Sequence, residues 1–512
     1  MSRLKYKEYG TVISKKQCVC VCDGLDNCIN GQMVYLENGS KGMIVGFTEQ
    51  VAQVLLLEER GIINAGDRVS TVMEEFRIPV GKNFIGRIVT SLGYDRDGRG
   101  PVVPDDYYPV FRDSPSVMER LPLDLPLETG VKMLDSMIPI GRGQRELVAG
   151  DRMSGKTTLG TDAIICQRGK DMICIYVDIG KPEAAMKKLS DLFQKHHAFE
   201  YTIVVSAGAS ATQGEQYLAP YVACALGEYF MYQGGHVLVV FDDFSKHAWA
   251  YREISLLLNR PPGRNAYPGD IFYLHSKMIE RAAYLNEKYK KGSMTFLPFV
   301  ETLENDITSF VCSNLVSMTD GQISLNTELF ADGFKPALDL GLSVSRVGTK
   351  VQWPLMKKLT ASYRLDFLQH RELVTLTKLN KSDLSKEMEM KLKRGDIFIE
   401  LIKQPQDTPV PFDEQVLVYY AFNEGMLMSL SIDQVREFKR DVGEFCKKEN
   451  PQLLALMRQE KKMNDQIKAG LEQVLKAYLS RFIQGGSEKA APAAPAAPAA
   501  PAAEEKPAEA KT

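Results

Sequence analysis

The stretch Glu146-Leu147-Val148-Ala149-Gly150-Asp151-Arg152-Met153-Ser154-Gly155-Lys156-Thr157 reads as a strand, a loop and the start of a helix. Glu146 to Ala149 is short and apolar enough for a buried strand. Thr157 to Ile165 carries its apolar residues at helical spacing. The eight residues from Gly150 to Thr157 fit G-x-x-x-x-G-K-[ST], a loop whose backbone N–H groups wrap a chain of phosphates. In that chemistry Lys156 supplies a point charge to the outer phosphates and Thr157 a hydroxyl to Mg²⁺. Glycine is required where backbone approaches phosphate at angles that a Cβ forbids. The helix N-terminus behind the loop adds its dipole to the anion site.

Outward from this loop, strands and helices alternate over about 130–350. Ile173-Cys174-Ile175-Tyr176-Val177, Tyr201-Thr202-Ile203-Val204-Val205 and His236-Val237-Leu238-Val239-Val240-Phe241 are unbroken apolar runs, the pattern of parallel strands covered on both faces. The third run delivers Asp242 and Asp243 at its C-terminal end. A carboxylate there can face the Thr157 hydroxyl across a Mg²⁺ ion. Upstream, residues from about 9 to 85 form short strand-like runs parted by turns such as Asn38-Gly39 and Ala65-Gly66-Asp67, which predicts a small closed barrel. Downstream, about 355–483 is helical and charged, with Asp433–Phe445 and Pro451–Phe482 the clearest pieces. From Gln484 the chain becomes Gly-Gly-Ser and then repeated Ala-Ala-Pro, which has nothing to bury and predicts an extended, disordered tail.

The expected domains are therefore 1–85 (barrel), 86–355 (parallel α/β nucleotide domain), 356–483 (helical domain) and 484–512 (tail). A length of 512 residues is too great for one core. The net charge of -2 carries no basic excess, so nucleic acid is not expected as a partner. No apolar run is long enough to span a bilayer, and no export signal opens the chain. Nine cysteines without such a signal are expected as reduced thiols. Cys18, Cys20 and Cys22 alternate, which places them on one face of a strand as small buried side chains rather than at the C-x₂-C spacing of zinc sites.

These motifs, taken together, resemble the α subunit of the F-type ATP synthases. The resemblance rests on Pro139-Ile140-Gly141-Arg142-Gly143-Gln144-Arg145-Glu146-Leu147, the loop Gly150 to Thr157, and Asp242-Asp243-Phe244-Ser245-Lys246. It extends to Arg260-Pro261-Pro262-Gly263-Arg264, Ala266-Tyr267-Pro268-Gly269-Asp270, Ser317-Met318-Thr319-Asp320-Gly321-Gln322, Ser343-Val344-Ser345-Arg346-Val347-Gly348 and Lys403-Gln404-Pro405-Gln406. It runs in order from about residue 9 to 483. It implies a β-barrel, a RecA-like domain and a helical domain, alternating with β-type catalytic subunits in a six-membered ring around a γ-type central stalk. The ring would meet a membrane sector only indirectly, as a peripheral assembly on the cytoplasmic face of a bacterial membrane.

The resemblance also implies the site. ATP or ADP with Mg²⁺ would lie on Gly150, Asp151, Arg152, Met153, Ser154, Gly155, Lys156, Thr157 and Thr158, with Thr157 and Asp242 at the metal. Phe330, Lys335, Gln404 and Gln406 would sit on the base side, where Gln amides can both donate and accept. The catalytic β subunit carries a Glu after its third-strand glycine; the matching residue here is Lys181, which cannot accept a proton to orient water. Glu183 lies two residues further on. This site is therefore expected to bind without hydrolysing. Arg346 is expected to act in trans, as an arginine finger in the neighbouring catalytic site. An autonomous ATPase, an RNA-translocating hexamer of the same fold and a nucleotide-free ring spacer are the alternatives.

The chain departs from the family at Met153 (usually Gln), Lys335 (usually Arg) and Lys181 (usually Gln). It also opens only a few residues before the first barrel strand, where relatives carry a helical arm for the peripheral stalk. The expectation is that this N-terminus does not serve as a stalk anchor, or that the ring is a derived F1-like motor of the gliding type.

Overall fold

The computed structural model describes residues 7–72, 74–379 and 386–488, with side chains omitted at 378–379 and 481–488. The barrel strands are β1 (Lys7–Lys16), β2 (Val19–Asp23), β3 (Met33–Leu36), β4 (Lys41–Phe47), β5 (Ala52–Glu58) and β6 (Arg68–Val72). They close in the order β1-β2-β5-β4-β3-β6, with β6 returning to pair with β1. The interior is filled by Val12, Cys20, Cys22, Val34, Ile44, Val54 and Leu56, all essentially buried. Burial pushes the Cys20 thiol up to about 11 and the Cys22 thiol up to about 12, so both stay protonated. Cys18 differs from its expected place: β2 begins at Val19, and Cys18 packs instead in the core under the barrel with Leu55 and Leu57.

The central sheet has β7 (Ile88–Val89), β8 (Glu146–Gly150), β9 (Met172–Ile179), β10 (Thr202–Ala207), β11 (His236–Asp242), β12 (Ser293–Glu301), β13 (Gly321–Leu325) and β14 (Val344–Ser345). Their spatial order is β14-β13-β8-β12-β11-β9-β10-β7, parallel except for β14; the short strand Ala283–Tyr284 adds antiparallel to β12. The unbroken apolar runs follow from burial on both faces. In β11, Val237, Val239 and Phe241 enter one core with the helices Gln213–Met231 and Phe244–Leu257. Leu238 and Val240 enter the other, with Leu159, Phe193 and the C-terminal helices. Each such aliphatic side chain contributes roughly 1.5–3 kcal/mol on burial.

Among the described residues, the C-terminal region is built of helices, beginning with Pro354–Thr360. Pro451–Phe482, expected as one piece, is two helices, Pro451–Glu460 and Asp465–Glu488. The break has a local cause. Lys461 adopts φ 54° and caps the first helix through its N–H to Met457 O, and Asn464 Oδ1 accepts from Ile467 N at 2.7 Å to start the second. The last helix runs to Glu488, so residues 484–488, expected in the tail, are helical. Residues 1–6 and the Ala/Pro repeat from 489 lie outside the described residues.

Candidate functional site

Strand β8 ends at Gly150, and the helix Lys156–Ile165 begins where the loop closes. Gly155 stands at φ 101°, in left-handed space that a side chain disfavours. A Cβ on Gly150 would meet Ser154 Oγ at 2.6 Å and Leu325 Cβ at 2.9 Å, so the turn is closed by contact as well as by dihedral preference. Asp151 braces the loop from outside. Its carboxylate accepts from Thr302 Oγ1 at 2.6 Å and from Asn305 N at 3.0 and 3.1 Å. Arg152 pairs with Glu301 at the end of β12. Met153 is 91% exposed on the loop's tip.

The Lys156 ammonium folds back onto its own loop, donating to Gly150 O at 2.6 Å and Asp151 O at 2.7 Å. Burial lowers its pKa, opposed by Asp243 and Asp242 nearby. Two carbonyls are weak partners for an ammonium, so an anionic ligand would displace them readily. Ser154 Oγ is buried and has no hydrogen-bond partner among the described residues. A cradle of backbone N–H groups, a buried ammonium and an orphaned hydroxyl suits a phosphate chain.

Across the cleft, the neighbours of Asp242 are polar and crowded. Its Oδ2 accepts from Thr157 Oγ1 at 2.7 Å and from Tyr176 OH at 2.6 Å, and pairs with the Lys181 ammonium. Lys181 also donates to Thr157 Oγ1 at 3.0 Å and to Tyr176 OH at 3.3 Å. A hydroxyl and a carboxylate are the hard oxygen ligands that Mg²⁺ prefers, so the residues present fit such an ion in type. The Lys181 cation already shares their space. Asp243 caps the helix Phe244–Leu257 through Lys246 N at 2.8 Å, and its carboxyl is pushed up to about 6 by burial and the adjacent Asp242. Burial, then Asp242, drives the Tyr176 phenol well above its ordinary value.

The cleft holds about 800 Å³. Arg152 to Thr158, Phe330, Lys335, Gln404 and Gln406 all line it, so most of the residues expected at the site converge on one cavity. Lys335 lies over the Phe330 ring at 4.7 Å. Gln404 behaves differently from its expected base-reading role. Its Nε2 donates to Gly130 O and Thr408 O, both at 2.8 Å, and its Oε1 accepts from Lys132 N at 3.0 Å. With both amide hydrogens engaged, it fixes the 404–408 loop to the start of the nucleotide domain. Gln406 is exposed on the cleft wall.

Glu183 does not reach the cleft, since its carboxylate is held by Arg96 and by Ser210 Oγ at 3.1 Å. Arg346 lies outside the cleft, on the exposed stretch after β14, anchored by its backbone N–H to Asp320 O at 2.8 Å. Among the described residues its guanidinium makes no ion pair. Sequence reading missed Tyr176 as a partner of Asp242, because an apolar run signals only burial. It also missed Glu301, whose partner Arg152 lies 149 residues earlier in the chain.

The comparisons agree with this architecture. The model for the nucleotide-binding domain of the ATP synthase alpha/beta family matches residues 130–345, and that for the C-terminal domain of the ATP synthase alpha/beta chain matches residues 352–478. The ATP synthase subunit alpha of Petrotoga mobilis is 44% identical over 480 residues, which cover 93% of this chain and 95% of that protein. With that span, that identity and the loop geometry above, the chain belongs to the ATP synthase alpha/beta family as a member of the alpha-subunit type.

Proposed function

We infer that this chain is a non-catalytic, nucleotide-binding subunit of an F1-type rotary ATPase ring. It holds ATP or ADP in its own cleft and supplies Arg346 to the catalytic site of an adjacent β-type subunit. The observation that carries the reading is the contrast between two cations. At the end of β9, where hydrolysis needs an acceptor to orient water, Lys181 presents an ammonium bound to Asp242. Arg346 stands exposed beyond its own cleft, free to meet another subunit's phosphates.

In this reading the loop Gly150 to Thr157 cradles the phosphates, with Thr158 beside it and Lys156 turning from its carbonyls to the outer phosphate oxygens. Thr157 and Asp242 are the residues that would hold Mg²⁺, whose charge would offset that of the phosphates. Phe330, Lys335 and Gln406 form the base-side wall, and Gln404 holds that wall in place. The partners are β-type subunits alternating with this chain in a hetero-hexamer and a γ-type central stalk. Contact with the membrane sector is indirect, at the cytoplasmic face. Among the described residues no helix is long and apolar enough to cross a membrane, which suits a peripheral place.

The test is ATP hydrolysis by the purified chain alone and with a β-type partner. Turnover only in the mixture supports the reading. Turnover by the chain alone, abolished by Lys156→Ala, would replace it with an autonomous ATPase.

A further inference from the structure

We propose that Lys181 is a built-in cation at the metal position, so that this cleft holds a nucleoside di- or triphosphate with little dependence on divalent ions. The inference rests on the nucleotide-binding reading above and deepens it. Strand β9 stops at Ile179, Gly180 turns the chain at φ 63°, and Lys181 is the first side chain directed back toward the cleft. Its three ammonium hydrogens meet three oxygens: Thr157 Oγ1, Tyr176 OH and Asp242 Oδ2.

Two of those oxygens are the ones a divalent ion would use. Asp242 Oδ2 accepts from Thr157, Tyr176 and Lys181 together, so a divalent ion using that oxygen would have to displace one of them. The side chain is only 22% exposed, so its charge is poorly screened by solvent. When phosphate arrives, the two neutral hydroxyls are the weaker partners and can be exchanged for phosphate oxygens, while the Asp242 pairing holds the ammonium in position. Lys156 and Lys181, which line the same cleft, then bring two tethered positive charges to the phosphates. A tethered ammonium lacks the octahedral demand of Mg²⁺ and its bound waters, so it can neutralise phosphate without arranging a water for attack. That combination suits a site built to retain nucleotide.

The competing explanation is that Lys181 only clips the ends of β9 and β11 together. The two differ in what they predict for metal dependence. The experiment titrates ADP into the full-length chain, with excess Mg²⁺ or excess EDTA, for the natural protein and for Lys181→Gln. We expect Kd of the natural protein to change by less than about tenfold between the two buffers, and that of Lys181→Gln to rise by about 100-fold or more in EDTA. A loss of about 100-fold in EDTA for the natural protein overturns the proposal whatever the variant does, and leaves nucleotide binding standing. A variant with lowered Tm but the same small Mg²⁺-to-EDTA ratio also overturns it, in favour of the clip. If neither protein binds ADP in either buffer, the nucleotide-binding reading fails and the inference falls with it.

Discussion

The phosphate cleft and the rim beyond β14 treat positive charge in opposite ways. In the cleft, Lys181 is answered by Asp242, Arg152 by Glu301, and Lys156 by two carbonyls of its own loop. At the rim, Arg346 is fixed through its backbone N–H and feels the charge of Glu146, but among the described residues its guanidinium makes no ion pair. A charge balanced internally is stable where it stands and gains modestly from a ligand. An unpaired guanidinium gains most when a second surface buries it against phosphate. On the reading proposed above, the first region serves this chain and the second serves its neighbour.

The sharpest way to break that division is Arg346→Ala in a ring reconstituted with β-type subunits. ATP turnover should fall by about 10³, while ADP affinity of this chain measured by titration stays unchanged. Near-normal turnover would make the rim arginine ornamental. Lys156→Ala should do the reverse. Nucleotide binding to this chain should weaken about 10- to 100-fold, and the ring should keep hydrolysing, because the phosphates Lys156 holds are not those being cleaved. Complete loss of turnover in a well-assembled ring would contradict the division.

Smaller effects test the scaffold behind the cleft. A Cβ on Gly160 would meet Phe299 Cζ at 2.6 Å and Val240 Cγ1 at 2.9 Å. Gly160→Ala should overpack this face by about 1–3 kcal/mol and regain about 1 kcal/mol of helix propensity. A net loss on the order of 1 kcal/mol in denaturant unfolding is expected, and a gain would show that the sheet yields.

A further test concerns pH. Asp162 is buried on the cleft wall, and burial raises its carboxyl from the usual carboxylate range to about 7, against a hydrogen bond from Asp407 N at 2.9 Å. Between the unfolded value and 7 the folded chain holds the extra proton, so stability should decline as pH rises from about 4 to 7. The slope for one proton is bounded by about 1.4 kcal/mol per pH unit. Asp162→Asn should flatten that slope in parallel melts. An unchanged profile would assign the pH dependence elsewhere.

How much of this was legible beforehand follows from the range of the signals involved. The loop, the strand before it and Asp242 were readable because each is a short pattern with one mechanical purpose. The barrel and the parallel strands were readable from turn spacing and unbroken apolar runs. The break at Lys461 was not, because nothing in a lysine announces a left-handed cap, and the apolar spacing continues on both sides of it. Gln404 lines the cleft, and its amide is engaged by Gly130, Lys132 and Thr408, two of them more than 270 residues away, so its contacts were not legible locally. Lys181 was legible as a missing acceptor. That it reaches Thr157, Tyr176 and Asp242 at once depends on the first turn of the helix Lys156–Ile165, the body of β9 and the end of β11 meeting in space, which no local pattern encodes.

The central sheet ends on both sides in strands only two residues long, Ile88–Val89 and Val344–Ser345. Parallel sheets assemble slowly, because each pairing must close a long crossover, and during that time a bare edge can template pairing with a stranger chain. Two residues offer such a chain almost no ladder to climb. The sheet is thereby shielded from edge-to-edge aggregation while its core is still forming.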